Sequence, residues 1–157
     1  MRAAVILPTA AVAALLTSSH AFADPAYEAR TAVGACLAAV IDKAPVVDGK
    51  GQDVALHRET SPNLCVVTVT GGDPAAVRRE VMSVISARPE QFTPAKTAWT
   101  PGNWASREAL CNAPGRRALN VVVETAKPGA SPVLSASVVE GRTRDQRCDL
   151  DFGEQEP

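Results

Sequence analysis

The chain has 157 residues, is 46% hydrophobic but only 4% aromatic, and carries 16 Lys+Arg against 17 Asp+Glu for a formal charge of −1. That length suits one domain with one core. The balanced charge, with no block of Lys or Arg, lacks the electrostatic footprint of a nucleic-acid binder.

The first residues read as a secretory leader. Arg2 supplies a positive start, Val5 to Leu16 is almost wholly apolar apart from Pro8 and Thr9, and Ala21-Phe22-Ala23 is an A-x-A cleavage signal. The apolar run is shorter than the roughly 20 residues a membrane span needs. We therefore expect residues 1–23 to be a signal peptide, residues 24–152 a single exported domain without a membrane span, and residues 153–157 an acidic frayed tail. The expected location is the periplasm or outside the cell.

Asp24-Pro25 opens the first predicted helix, with Asp as N-cap and Pro at N1, where its missing N–H costs nothing. Ala29, Val33, Cys36, Leu37, Val40 and Ile41 recur at helical spacing and make one apolar stripe, which Pro45 ends. A turn region, 43–52, contains Pro45, Gly49 and Gly51. Two strands are predicted next, over 53–59 and 64–70, around Thr60-Ser61-Pro62-Asn63. Asp73-Pro74 repeats the cap-and-proline start, and Val77, Val81, Val84 and Ile85 mark a second helix running to about Ala87.

Residues 89–116 hold Pro89, Pro94, Pro101, Gly102 and Pro114 and read as a long irregular loop, with a helical turn around Ala105 to Leu110. The last elements form a hairpin. Leu119, Val121 and Val123 alternate on one strand, and Leu134, Ala136 and Val138 on the other, around a Pro-Gly loop at 127–132. The predicted fold class is α+β: a four-stranded antiparallel sheet in the order α-β-β-α-loop-β-β, two helices on one face, and two disulfides.

Four cysteines behind an export signal read as two disulfides. If Val121 faces Val138 and Val123 faces Ala136, extending that register sets Cys111 opposite Cys148. Cys36 and Cys65 then join the apolar stripe of the first helix to the inward face of a strand. No C-x-x-C pair is present to favour a metal site or a redox centre, so no metal and no cofactor is expected.

Candidate chemistry is sparse. His57 is the one histidine left after the leader, and Glu59 shares its strand face, which makes a weak acid/base pair. No G-x-S-x-G or H-E-x-x-H motif accompanies it. Asp145, Asp149 and Asp151 interleave with Arg142, Arg144 and Arg147, a pattern read as self-neutralising surface rather than a cation site. Trp99-Thr100-Pro101-Gly102-Asn103-Trp104 holds both tryptophans of the chain. Such rings either stack on a sugar or peptide or fold back over the sheet. Trp99, Asn103, Trp104 and Arg107 are the candidate binding residues.

The leading expectation is a non-enzymatic binding or accessory module of the bacterial cell envelope, taking a protein or cell-wall glycan. Alternatives are a small periplasmic hydrolase using His57 with a nearby carboxylate, and a purely structural subunit of an envelope assembly.

Overall fold

A computed structural model describes residues 24–97, Gly102 and residues 104–150. The predicted leader, Trp99, Asn103, Asp151 and the acidic tail lie outside the described residues. Two helices, α1 (Pro25–Ile41) and α2 (Pro74–Ser86), begin as the sequence dictates. The Asp24 carboxylate accepts the Ala26 N–H at 3.0 Å, and Asp73 accepts the Ala76 N–H at 2.9 Å, each just ahead of a proline.

Among the described residues the sheet has seven strands rather than the predicted four. They are β1 (Gly49–Lys50), β2 (Val54–Glu59), β3 (Asn63–Val69), β4 (Thr93–Pro94), β5 (Trp104–Cys111), β6 (Ala118–Ala126) and β7 (Leu134–Gly141). Their spatial order is β1-β2-β3-β7-β6-β5-β4, and every pairing is antiparallel. The four strands predicted from alternation are β2, β3, β6 and β7. The additional ones are two short edge strands and β5, which replaces the helical turn expected around Ala105 to Leu110. Each half of the chain runs helix first and then an antiparallel meander. The last strands of the two halves, β3 and β7, pair at the centre of the sheet.

Both helices pack on one face, as expected. α1 lies over β2, β3 and β7, α2 over β6 and β7, and the helices touch each other. Inward residues alternate along the strands: Cys65, Val67 and Val69 on β3, Leu134, Ala136 and Val138 on β7, Leu119, Val121 and Val123 on β6. They meet Val33, Leu37 and Val40 of α1 and Val77, Val81 and Ile85 of α2, closing an aliphatic core.

Both predicted disulfides form. Cys36–Cys65 runs from α1 to β3 inside the core, and Cys111–Cys148 joins β5 to a 3₁₀ turn, Gln146–Cys148. The hairpin register is the expected one, with Val121 opposite Val138 and Val123 opposite Ala136. The geometry behind the second bridge differs, however. Cys111 does not extend the hairpin; it sits on a separate strand, paired with Asn120 of β6. The 3₁₀ turn reaches across to it.

Candidate binding face

Among the described residues, neither α-helix covers the second face of the sheet, and only the 3₁₀ turn Gln146–Cys148 lies against it, at one corner. Strand parity sets who faces outward there: Ala55, His57 and Glu59 on β2, Leu64, Val66 and Thr68 on β3, and Ser135, Ser137 and Val139 on β7. Asn120, Val122 and Glu124 follow on β6, then Arg107, Ala109 and Cys111 on β5.

Trp104 joins this face through a backbone irregularity. Trp104 pairs with Ala126, but Ser106 pairs with Thr125, so Ala105 is an extra residue and β5 is bulged. In a regular strand, residues 104 and 107 would point to opposite faces. The bulge sets Trp104 on the same outward face as Arg107, whose partner is Glu124. It re-aims an aromatic side chain toward the helix-free surface.

Trp104 is partly buried and lines a groove of about 500 Å³ with Ala126 at the end of β6 and Lys127, Ala130 and Pro132 of the β6–β7 loop. The Lys127 ammonium donates to the Gly102 carbonyl at 2.8 Å, tying the turn before Trp104 to that loop. A second groove, about 230 Å³, lies on the same face. Ala109, Val122 and Val139 form its apolar wall, while Arg107, Asn120 and Arg147 supply polar groups. Arg107 pairs with Glu124 at 3.6 Å, and Arg147 with Asp145 at 2.6 Å. The Cys111–Cys148 bridge holds the 3₁₀ turn against this groove. Thr97 supports it, its N–H donating to the Arg147 carbonyl and its hydroxyl to the Leu150 carbonyl.

The bridge therefore braces one margin of this face, and residues 104–111, expected to be irregular with a helical turn, form a strand. Of the four predicted binding residues, Trp104 and Arg107 come together here. Trp99 and Asn103 lie outside the described residues.

The His57 cluster occupies the opposite margin of the face. The imidazole contacts Glu59 Oε1 through Nε2 at 3.2 Å and Asp48 Oδ2 through Nδ1 at 2.7 Å. The other Asp48 oxygen accepts the Arg58 N–H at 2.7 Å, so this carboxylate clips the β1 segment to β2. Asp48 lies in the turn region 43–52, nine residues from His57, and no sequence pattern pointed to it. Both ring nitrogens are committed to carboxylates, and the side chain is 57% exposed. A general base needs a free nitrogen facing a nucleophile or a bound water, and this arrangement supplies two acids instead.

The pair of carboxylates, Asp48 first and then Glu59, raises the His57 pKa above its ordinary value of 6.5. The contribution of this cluster to stability is thus full below pH 6.5 and is lost as pH rises through the folded-state pKa. A proton NMR titration of His57 is expected to give a midpoint above 6.5. Asp48→Asn is expected to move it down. An unshifted midpoint in both proteins would show that the clip does not form in solution.

The C-terminal acids follow the self-neutralising pattern where they are described. Arg144 pairs with Asp149 at 2.8 Å, while Asp145 pairs with Arg147. Among the described residues, no group of three His, Cys, Asp or Glu side chains is arranged to hold a metal ion, and no helix is long and apolar enough to cross a membrane. The two disulfides fit an oxidising, extracytoplasmic compartment. Comparison with protein-family models, curated proteins and solved structures returns no match.

Proposed function

We propose that this chain is an exported, non-enzymatic binding module of the cell envelope, and that it engages a protein or glycan through the helix-free sheet face at Trp104. The observation that carries this reading is the β5 bulge, which sets Trp104 and Arg107 on one surface beside a groove of about 500 Å³. A tryptophan face beside a loop offers stacking area for a sugar ring or a peptide proline, with Lys127 at its edge and Arg107 in the adjoining groove. Disulfides at both ends of the chain keep the strands rigid, so little ordering entropy opposes binding. Secretion and envelope placement belong to the same proposal and rest on the leader-like segment and the disulfides. The hydrolase alternative gains nothing from the His57 geometry.

Binding of purified, labelled protein to isolated envelope material tests the reading. The wild type is expected to bind saturably, and Trp104→Ala to weaken binding by about tenfold or more, the usual effect of removing a central aromatic anchor. Equal binding by the two proteins would overturn the assignment of Trp104.

A further inference from the structure

A pocket of about 450 Å³ opens where α1 ends, with Lys43, Arg58 and Thr60 in its lining beside Asn63 and Glu140. Its hydrogen-bonding groups are unequally used. The acceptors are committed. Glu140 Oε2 accepts from Lys43 and Asn63, each at 2.7 Å, and Oε1 accepts from Arg117. Asn63 Oδ1 accepts from Arg58. The Val40 and Ile41 carbonyls, at the negative end of α1, are covered by Lys43, Asn63 and Arg117.

The donors are in surplus. Arg58 gives one N–H to the Leu64 carbonyl and one to Asn63, which leaves three of its five. Lys43 gives two of its three, to Val40 and Glu140. The Thr60 hydroxyl has no partner among the described residues. Charge leans the same way. Lys43 and Arg117 share one carboxylate, Glu140, and Arg58 pairs with none among the described residues. The other nearby acids are engaged elsewhere. Asp42 holds Arg88 through both oxygens at 3.0 Å, while Asp48 and Glu59 hold His57, and Asp48 also takes the Arg58 backbone N–H.

We propose that this pocket binds a phosphate group. The ligand must bring acceptors to the spare hydrogens of Arg58, Lys43 and Thr60, and negative charge to a site where three cations face one carboxylate. A phosphate carries about −1.5 to −2 charge near neutral pH and three or more acceptor oxygens, whereas a carboxylate carries one charge and two oxygens. The Arg58 fork suits two phosphate oxygens, and the ammonium and hydroxyl take the others. Arg58 and Lys43 are already fixed by protein acceptors, so binding orders little that is loose. Lys43 lies one residue past the α1 C-cap at φ 61, a left-handed position where glycine is usual, and the turn brings its ammonium back to the helix end. Ala44, Pro45 and Val46 give the organic part of a phosphate ester an apolar wall. None of these residues lines either groove of the Trp104 face, so the inference stands apart from the function proposed for it.

Backbone amide NMR shifts during titration with inorganic phosphate, at about pH 7 and constant ionic strength set with chloride, test it. The shifts are expected to saturate with a Kd of about 1 mM or tighter and to concentrate in residues 43–46 and 58–63. Glycerol 3-phosphate separates the sources. Tighter binding than phosphate assigns the site to a phosphate ester, and equal or weaker binding assigns it to the free ion. Arg58→Gln and Lys43→Gly are each expected to weaken phosphate binding about tenfold. Glycine keeps the left-handed turn, so Lys43→Gly carries the test if Arg58→Gln disturbs the β2–β3 connection. The absence of saturable shifts would overturn the proposal. So would acetate binding as tightly as phosphate, or an affinity unchanged in both variants.

Discussion

Replacing Cys36 and Cys65 together by alanine is expected to lower the free energy of unfolding by about 3–5 kcal/mol. The bridge closes a loop with a sequence separation of 29, worth about 3.5 kcal/mol in the chain-entropy description. Both cysteines are essentially fully buried between α1 and β3, so losing the sulfurs also loosens packing around Leu37 and Val67. The Cys111–Cys148 bridge closes a longer loop, with a separation of 37, yet its loss should cost less. Cys148 belongs to a short 3₁₀ turn after the last strand, and that turn can open locally without unfolding the core. Guanidinium denaturation of the two double-alanine variants, extrapolated linearly to water, separates these cases. Equal losses would contradict the local-opening argument.

The second large effect lies at the C-terminus of α1. There the Glu140 carboxylate accepts from Arg117 Nε, Lys43 Nζ and Asn63 Nδ2, each at 2.7 Å. Arg117 in turn donates to the Val40 and Ile41 carbonyls, and Asn63 and Lys43 also reach the Val40 carbonyl. These carbonyls end the helix without intrahelical partners, and the cluster satisfies them with cations on the favourable side of the helix dipole.

Arg117 above all holds the Glu140 pKa down to about 2, from an ordinary 4.5. Because the folded value is depressed, the stabilisation is present above pH 4.5 and is lost as pH falls toward 2. The full shift corresponds to about 3 kcal/mol, and partial exposure of the side chain trims this to roughly 2 kcal/mol. Glu140→Gln is expected to forfeit about that amount at pH 7 and to flatten the stability profile between pH 4.5 and 2. Urea melts across that range check it. A variant with the wild-type acid profile would mean that other carboxylates drive acid unfolding.

The residues that made the fold legible are those with one clear period or one clear punctuation. Asp24-Pro25 and Asp73-Pro74 announce the helices, and both lie within a residue of their observed starts. Alternation in β3, β6 and β7 survives because each buries one face against helices. β5 hides for a physical reason. Its helix-side positions include Ser106 and Glu108, and Glu108 is held by Arg78 of α2 rather than packed in apolar surroundings. The bulge at Ala105 then breaks what alternation remains, and Glu-Ala-Leu reads locally as helix. β1 and β4 have two residues each, with Gly49 and Pro94 among them, too few for any period to show.

The candidate site was half legible for the same reason. Trp104 and Arg107 stood out by residue type, but their common face needed the bulge. The uncharged surface between them and His57 needed the β3–β7 pairing, a contact between the two halves of the chain that no local pattern encodes. The same holds for Asp48 beside His57 and for Glu140 beside Lys43, Asn63 and Arg117.

The central claim is that the helix-free face, at Trp104, is the surface that meets the ligand. Hydroxyl-radical footprinting of the protein, free and bound to envelope material, tests this most directly. Binding is expected to protect Trp104 and Pro132 while Tyr27 of α1, which is 66% exposed on the opposite side of the molecule, stays fully reactive. Protection of Tyr27 with Trp104 unchanged would contradict the account and move the binding surface to the helices.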